Sequence, residues 1–159
     1  MLRQQLDLTN YQSGFTLIEV LVAIIVLAIG LLGLANLQTV SLHNDQSAYL
    51  RTQAIWLAND MADRMRSNAQ YYNTNPIPNK QQHDCLTNQC TSQEIAENDL
   101  FEWNAAISTV LPGGVGTING VTINVVTTNG TIQVTTYTVN IQWSDPVQSN
   151  VIFSMSFQI

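Results

Sequence analysis

Three observations predict an α+β fold in which a long N-terminal helix packs against a C-terminal antiparallel sheet. Residues 20–35 read VLVAIIVLAIGLLGLA, without one polar side chain. A helical spacing of apolar residues then continues to Asn68, with no Pro or Gly after Gly33. Beyond Gly114 the apolar period changes to two, as half-buried strands require. At 159 residues the chain has room for one domain and an appendage.

The first element is a membrane span. With FTLI before it and Asn36-Leu37 behind, the apolar stretch covers residues 15–37, roughly 34 Å of helix against a hydrocarbon core of about 30 Å. It is too long for the core of a secretory signal peptide, and no A-x-A cleavage site follows it. Glu19 is the oddity. Insertion scales charge about 2.5 to 3.5 kcal/mol for an acid at a helix centre, and less near the end. Either the carboxylate snorkels or is protonated, or it is kept for a cationic partner on another chain.

The second element continues the helix over residues 38–70 as an amphipathic segment. Leu37, Val40, Ala48, Ile55, Ala58, Ala62 and Met65 follow at helical steps. Asp60 with Arg64, and Asp63 with Arg66, supply pairs worth a few tenths of a kcal/mol each, as expected of a solvated face. YYNTNPIPN then ends the helix with two prolines and several turn formers. Residues 71–159 form a globular head.

Cys85 and Cys90 follow the span and none precede it, which fits an oxidising compartment and one disulfide. The rival is a metal site made of His83, Asp84, Cys85 and Cys90, whose spacing matches no standard zinc pattern. Thr91-Ser-Gln-Glu94 has the form of a capping box, so a helix should run from about Ser92 to Val110 and stop at LPGG. Glu94, Glu97, Asp99 and Glu102 tempt a reading as paired catalytic acids, but acids in early helical turns are better explained by the helix dipole.

The sheet follows, with Val121, Ile123 and Val125, then Tyr137, Val139, Ile141 and Trp143, then Val151, Phe153, Met155, Phe157 and Ile159 as its apolar faces. Asn119-Gly120 and Asn129-Gly130 are the expected hairpin turns, since both residue types tolerate positive φ. Asn129-Gly-Thr131 also fits a glycosylation acceptor, though the turn explains it more economically.

Composition excludes several function classes. Charged residues make up 10% of the chain and the net charge is -6, a balance that repels phosphate backbones. Lys80 is the one base after Arg66, so no electrostatic footprint for nucleic acid exists. An enzyme is equally poorly supported. His43 and His83 are the only imidazoles, and no G-x-S-x-G, H-E-x-x-H or phosphate-loop pattern occurs. No cofactor motif is present.

GFTLIEVLVAIIVLAIGLLGL resembles the N-terminal segment of type IV prepilins and pseudopilins. The resemblance implies that a membrane prepilin peptidase removes residues 1–14 by cutting between Gly14 and Phe15 and methylates the amine of Phe15. It also makes Glu19 the acid that pairs with such an amine during assembly. This leader departs from the pattern in carrying only Arg3, balanced by Asp7, so its orientation is taken from the resemblance rather than from positive charge. LANDMADRMRSN, the Cys85/Cys90 pair, DLFEW, LPGG and VNIQW together resemble the minor-pilin family called type IV pilus modification protein PilV. That family implies a pilin-like fold, no catalytic site, single-pass storage in the inner membrane with a periplasmic head, and incorporation into a cell-surface pilus. Its partners would be other minor pilins, the major pilin, the prepilin peptidase and methylase, and a tip adhesin, with a role in priming assembly at the tip. The runner-up is a minor pseudopilin of type II secretion.

Overall fold

The computed structural model describes residues 14–128 and 130–159. The leader before Gly14, and Asn129 with its turn and glycosylation readings, lie outside the described residues. The elements are α1 Leu17–Ser67, α2 Ala69–Thr74, α3 Ser92–Val110, β1 Val115–Thr127, β2 Gly130–Asp145 and β3 Ser149–Gln158. The strands form one antiparallel sheet in the order β1-β2-β3. Long helix first and meander last is the expected α+β, pilin-like architecture.

By contacts the chain divides into Met1–Ser41 and Leu42–Ile159. The first unit contains the apolar part of α1. Its richest 18-residue window has a mean hydropathy of 2.9 and none of that window is buried, so by length and composition this helix suffices to cross a membrane.

The second unit has one core. Along α1 the residues that enter it are Ser47, Leu50, Ala54, Ala58, Met61, Ala62 and Met65, at helical steps of three and four. Ala48 and Ile55, expected inside, are exposed. The stripe is set by small residues at Ala54 and Ala58, where neighbouring elements approach closely, and these outrank the larger Ile55. Tyr137, Val139, Ile141 and Trp143 of β2 fill the other side of the core, with Trp103 and Ile107 of α3.

Helix α3 begins as its sequence predicts. Thr91 accepts from the Glu94 N–H at 3.3 Å, and the Glu94 carboxylate accepts from the Thr91 N–H at 2.8 Å, closing the capping box. Trp103 anchors α3 to α1 through Nε1–H donating to the Leu57 carbonyl at 2.8 Å. The helix ends at Leu111, and Gly113 adopts a φ of 63°, the left-handed conformation that glycine takes without penalty.

Two strand expectations are corrected. Asn119-Gly120 makes no turn: β1 runs straight through it, Asn119 facing Thr138 and Gly120 facing Tyr137. A bulkier residue than Gly120 would crowd the Tyr137 ring, its Cβ falling 3.1 Å from a ring carbon. Val121, Ile123 and Val125 also face away from the core, at 62%, 53% and 36% exposure. Their register partners are Thr136, Val134 and Ile132, so they share a face with those residues and not with Tyr137 and Val139. Gly130, expected in a turn, is paired to Thr127 as the first residue of β2.

Candidate processing and assembly site

The start of α1 is built around Thr16. Its carbonyl accepts from the N–H groups of Glu19 at 3.1 Å and Val20 at 3.3 Å, and its hydroxyl accepts from the Glu19 N–H at 3.3 Å. Thr16 is therefore an N-cap, a role visible in the T-x-x-E spacing of Thr16-Leu-Ile-Glu19 yet missed in reading the sequence. Only the backbone half of that capping box is made, so the Glu19 carboxylate has no hydrogen-bond or ion-pair partner among the described residues. Phe15 and Glu19 line one shallow apolar hollow with Val20, Ala23, Ile24 and Leu27. Phe15 itself is 84% exposed. A carboxylate thus lies beside the residue expected to become the N-terminus, on an apolar helix face that no other described residue covers. Such a face has the chemistry to accept an identical helix and one positive charge.

The head residues singled out in the sequence separate into structural tasks. The Cys85 and Cys90 sulfurs lie at disulfide distance, 2.02 Å, and close a six-residue turn. His83 Nε2 meets the Glu97 carboxylate at 2.7 Å while the His83 backbone N–H donates to Asn98 Oδ1 at 2.9 Å, which docks the segment before the disulfide onto α3. A hydrogen bond from Gln93, followed by the one from His83, holds the Glu97 carboxyl below the usual carboxylate range. Asp84 accepts from the Thr87 N–H and hydroxyl. No group of three metal-ligating side chains converges among the described residues. His43 is exposed on α1.

The acids of α3 are also accounted for. Glu94 caps its own helix, whereas Asp99 and Glu102 accept from Arg64 Nη1 at 2.9 and 3.1 Å. Arg64 also pairs with Asp60 at 3.0 Å, as the helical spacing predicts, and Arg66 pairs with Asp63 at 2.7 Å. Desolvation would lower the Arg64 pKa, but the hydrogen bonds to Asp99 and Glu102 reverse this and leave it raised. Desolvation raises the Asp99 carboxyl, and Arg64 only partly offsets it. The long-range reach of Arg64 to α3 was not legible in the sequence, since i,i+4 spacing explains only Asp60.

A second unforeseen cluster ties α1 to the β2–β3 turn. Ser47 donates to Asp145 Oδ2 at 2.7 Å, and Asp145 Oδ1 accepts from the Val147 and Gln148 N–H groups at 2.8 and 3.1 Å. Arg51 reaches Gln148 at 2.9 Å.

Residues 36–101 match the family described as Type IV pilin Tt1218, and residues 9–35 match the prokaryotic N-terminal methylation motif. No curated protein matches the chain, and no solved structure does. The methylation motif spans Gly14, Phe15 and Glu19, and its match ends where the pilin match begins, within α1. One signature for the start of a methylated helix therefore runs directly into one for a pilin, on a fold of the matching kind, so over residues 9–101 the chain is similar to type IV pilins.

Proposed function

We propose that this chain is a minor pilin of the PilV kind, stored in the inner membrane with its head in the periplasm and incorporated near the pilus tip, where it helps prime assembly. Cleavage falls between Gly14 and Phe15, and Phe15 becomes the N-methylated terminus. The observation that carries the reading is the methylation-motif match over residues 9–35 coinciding with an exposed apolar helix whose first turns hold the unpartnered Glu19. The minor-pilin assignment is supported by the PilV-like motifs of the head, among which the Asp60-to-Arg66 stretch and the DLFEW helix meet at Arg64.

In the lipid-stored monomer, Glu19 has no counter-charge to lose, so Glu19→Val should insert at least as well as the parent. In a filament the same change strands the amine of a neighbouring Phe15, and removing one partner of a buried pair costs about 3 to 5 kcal/mol. Fractionating cells that express Glu19→Val, with immunoblots of membrane and sheared-pilus pools, tests this. Normal membrane levels with loss from the pilus pool are expected; equal amounts in both pools refute the pairing role. N-terminal sequencing should begin at N-methyl-Phe15. Cross-linked neighbours that are pilins and a tip adhesin support the minor-pilin role, whereas secretion components would transfer the protein to a type II machine as a minor pseudopilin.

A further inference from the structure

We infer that the free edge of β1 is a docking site for an extended, uncharged segment of a different pilus protein, which adds to the sheet as a fourth strand. The inference rests on the reading of this chain as an assembled subunit and names one surface by which it meets a partner.

β1 is the sheet's first strand and pairs only with β2. In an antiparallel ladder, successive residues aim their peptide groups alternately at the partner strand and away from it. The phase is set by Gly116, whose N–H donates to Asn104 Oδ1 on α3 at 3.3 Å instead of to β2. Ile118, Gly120, Thr122, Asn124 and Val126 then also aim N–H and C=O outward. Among the described residues none of these groups has a backbone or side-chain partner.

Unpaired edges are ordinarily guarded by a charge, a proline or a covering element, because they template pairing with other chains. VGTINGVTINVVT has no charged residue and no proline along all 13 positions. Both faces beside this edge also offer support. On the outer face Val121, Ile123 and Val125 stand beside Ile132 and Val134 and remain exposed or half-buried. On the inner face a cleft of about 330 Å³ separates Asn75, Pro76 and Ile77 from Gly120, Thr122 and Tyr137. Side chains of an added strand alternate between these two surfaces. Main-chain bonds would supply affinity, and the apolar strip with the cleft would supply register, as in other cases of strand addition. A charged strand would find no counter-charge on β1, so the segment that fits is neutral. A closed pair of copies would consume both edges; a subunit that works among other pilus proteins keeps its edge for one of them.

The test uses the full chain in cells that make pili. A photoreactive benzoylphenylalanine replaces Asn124 or Val126 at the edge, and Ser108 on the exposed side of α3 as comparison. Irradiation should join the two edge positions, and not Ser108, to another pilus protein, with the joined peptide mapping to an extended neutral segment. Asn124→Pro removes one outward N–H and leaves the β2 ladder intact, and Val126→Lys adds the missing guard charge. Each should retain leader cleavage and membrane abundance while the cross-link from the other edge position falls about tenfold, for Asn124→Pro through the loss of one interface hydrogen bond and for Val126→Lys through an unmatched charge on the edge. Edge cross-links to a second copy of this chain overturn the proposed partner. Normal incorporation into pili without edge cross-links overturns the edge site and leaves the pilin reading intact, whereas absence from pili of the unsubstituted protein overturns both.

Discussion

Gly116→Ala isolates the closest approach in the head. A Cβ at this position would lie 2.6 Å from Ile107 Cδ1 and overlap the Trp103 ring, where carbon atoms prefer about 3.5 to 4.0 Å. Ile107 can turn its terminal methyl aside. Trp103 cannot, because it is 1% exposed and its Nε1–H is fixed to the Leu57 carbonyl. Overpacking of this kind costs about 1 to 3 kcal/mol, offset by about 0.4 to 1 kcal/mol from the narrower unfolded ensemble of alanine. A net loss of about 1 to 2 kcal/mol should lower the melting temperature by roughly 3 to 10 °C for a unit of this size. Tryptophan fluorescence of the detergent-solubilised chain reports it, since Trp103 and Trp143 are each 1% exposed while Trp56 is 73% exposed. Ile107→Val removes one of the obstructing atoms, so Gly116→Ala should cost less in that background. Wild-type stability of Gly116→Ala, or strict additivity with Ile107→Val, would refute the packing argument.

Three further outcomes are expected. Among the described residues the Tyr72 hydroxyl is buried without a partner, while the Tyr72 carbonyl accepts from the Tyr137 hydroxyl; Tyr72→Phe should be neutral or stabilising by up to about 1 kcal/mol, and Tyr137→Phe destabilising by about 1 kcal/mol, so equal losses in chemical denaturation would contradict the assignment. Burial raises the Asp145 carboxyl, but the Ser47 hydroxyl and the Val147 and Gln148 N–H groups outweigh it and leave the pKa below its ordinary 3.8. A depressed folded value means that its stability is present above the unfolded value and lost as the pH falls through the folded one; Asp145→Asn should therefore be less stable at pH 7 and lose less on going to pH 3, and parallel pH curves would sink this. Replacing Cys85 and Cys90 by Ser should cost roughly 2 kcal/mol without altering leader processing, and titratable free thiols in the isolated protein would overturn the disulfide.

What the sequence revealed depended on whether the signal was local. The long apolar helix, the Thr91–Glu94 cap, the Asp60–Arg64 and Asp63–Arg66 pairs and the apolar row of β2 are each written within a few residues, and each stands where it was expected. The errors arose where a partner decides. Val121, Ile123 and Val125 alternate perfectly, but alternation only says that they share a face, and the β1–β2 register assigns that face to the outside. Asn119-Gly120 has turn chemistry, yet Gly120 is needed in mid-strand so that the Tyr137 ring can close over it. Arg64 with Asp99 and Ser47 with Asp145 join residues far apart in sequence, which no spacing rule reaches.

The two parts of α1 solve the same problem in different surroundings. Before Ser41 the helix is predominantly apolar, with Glu19, Asn36, Gln38 and Thr39 as its polar exceptions, and exposed throughout. After Leu42 the apolar stripe narrows to one side, where Ala54, Ala58 and Ala62 are 0% exposed. Small residues four apart bring the helix axis close to its neighbours, and the large side chains of Trp103, Tyr137 and Trp143 fill the space from the other elements. The aromatic bulk of the core is thus carried by α3 and β2, while α1 adds Leu50, Met61 and Met65 between its alanines. Among the described residues none of the core side chains precedes Ser47, so the core of the head is built without the apolar first part of the helix.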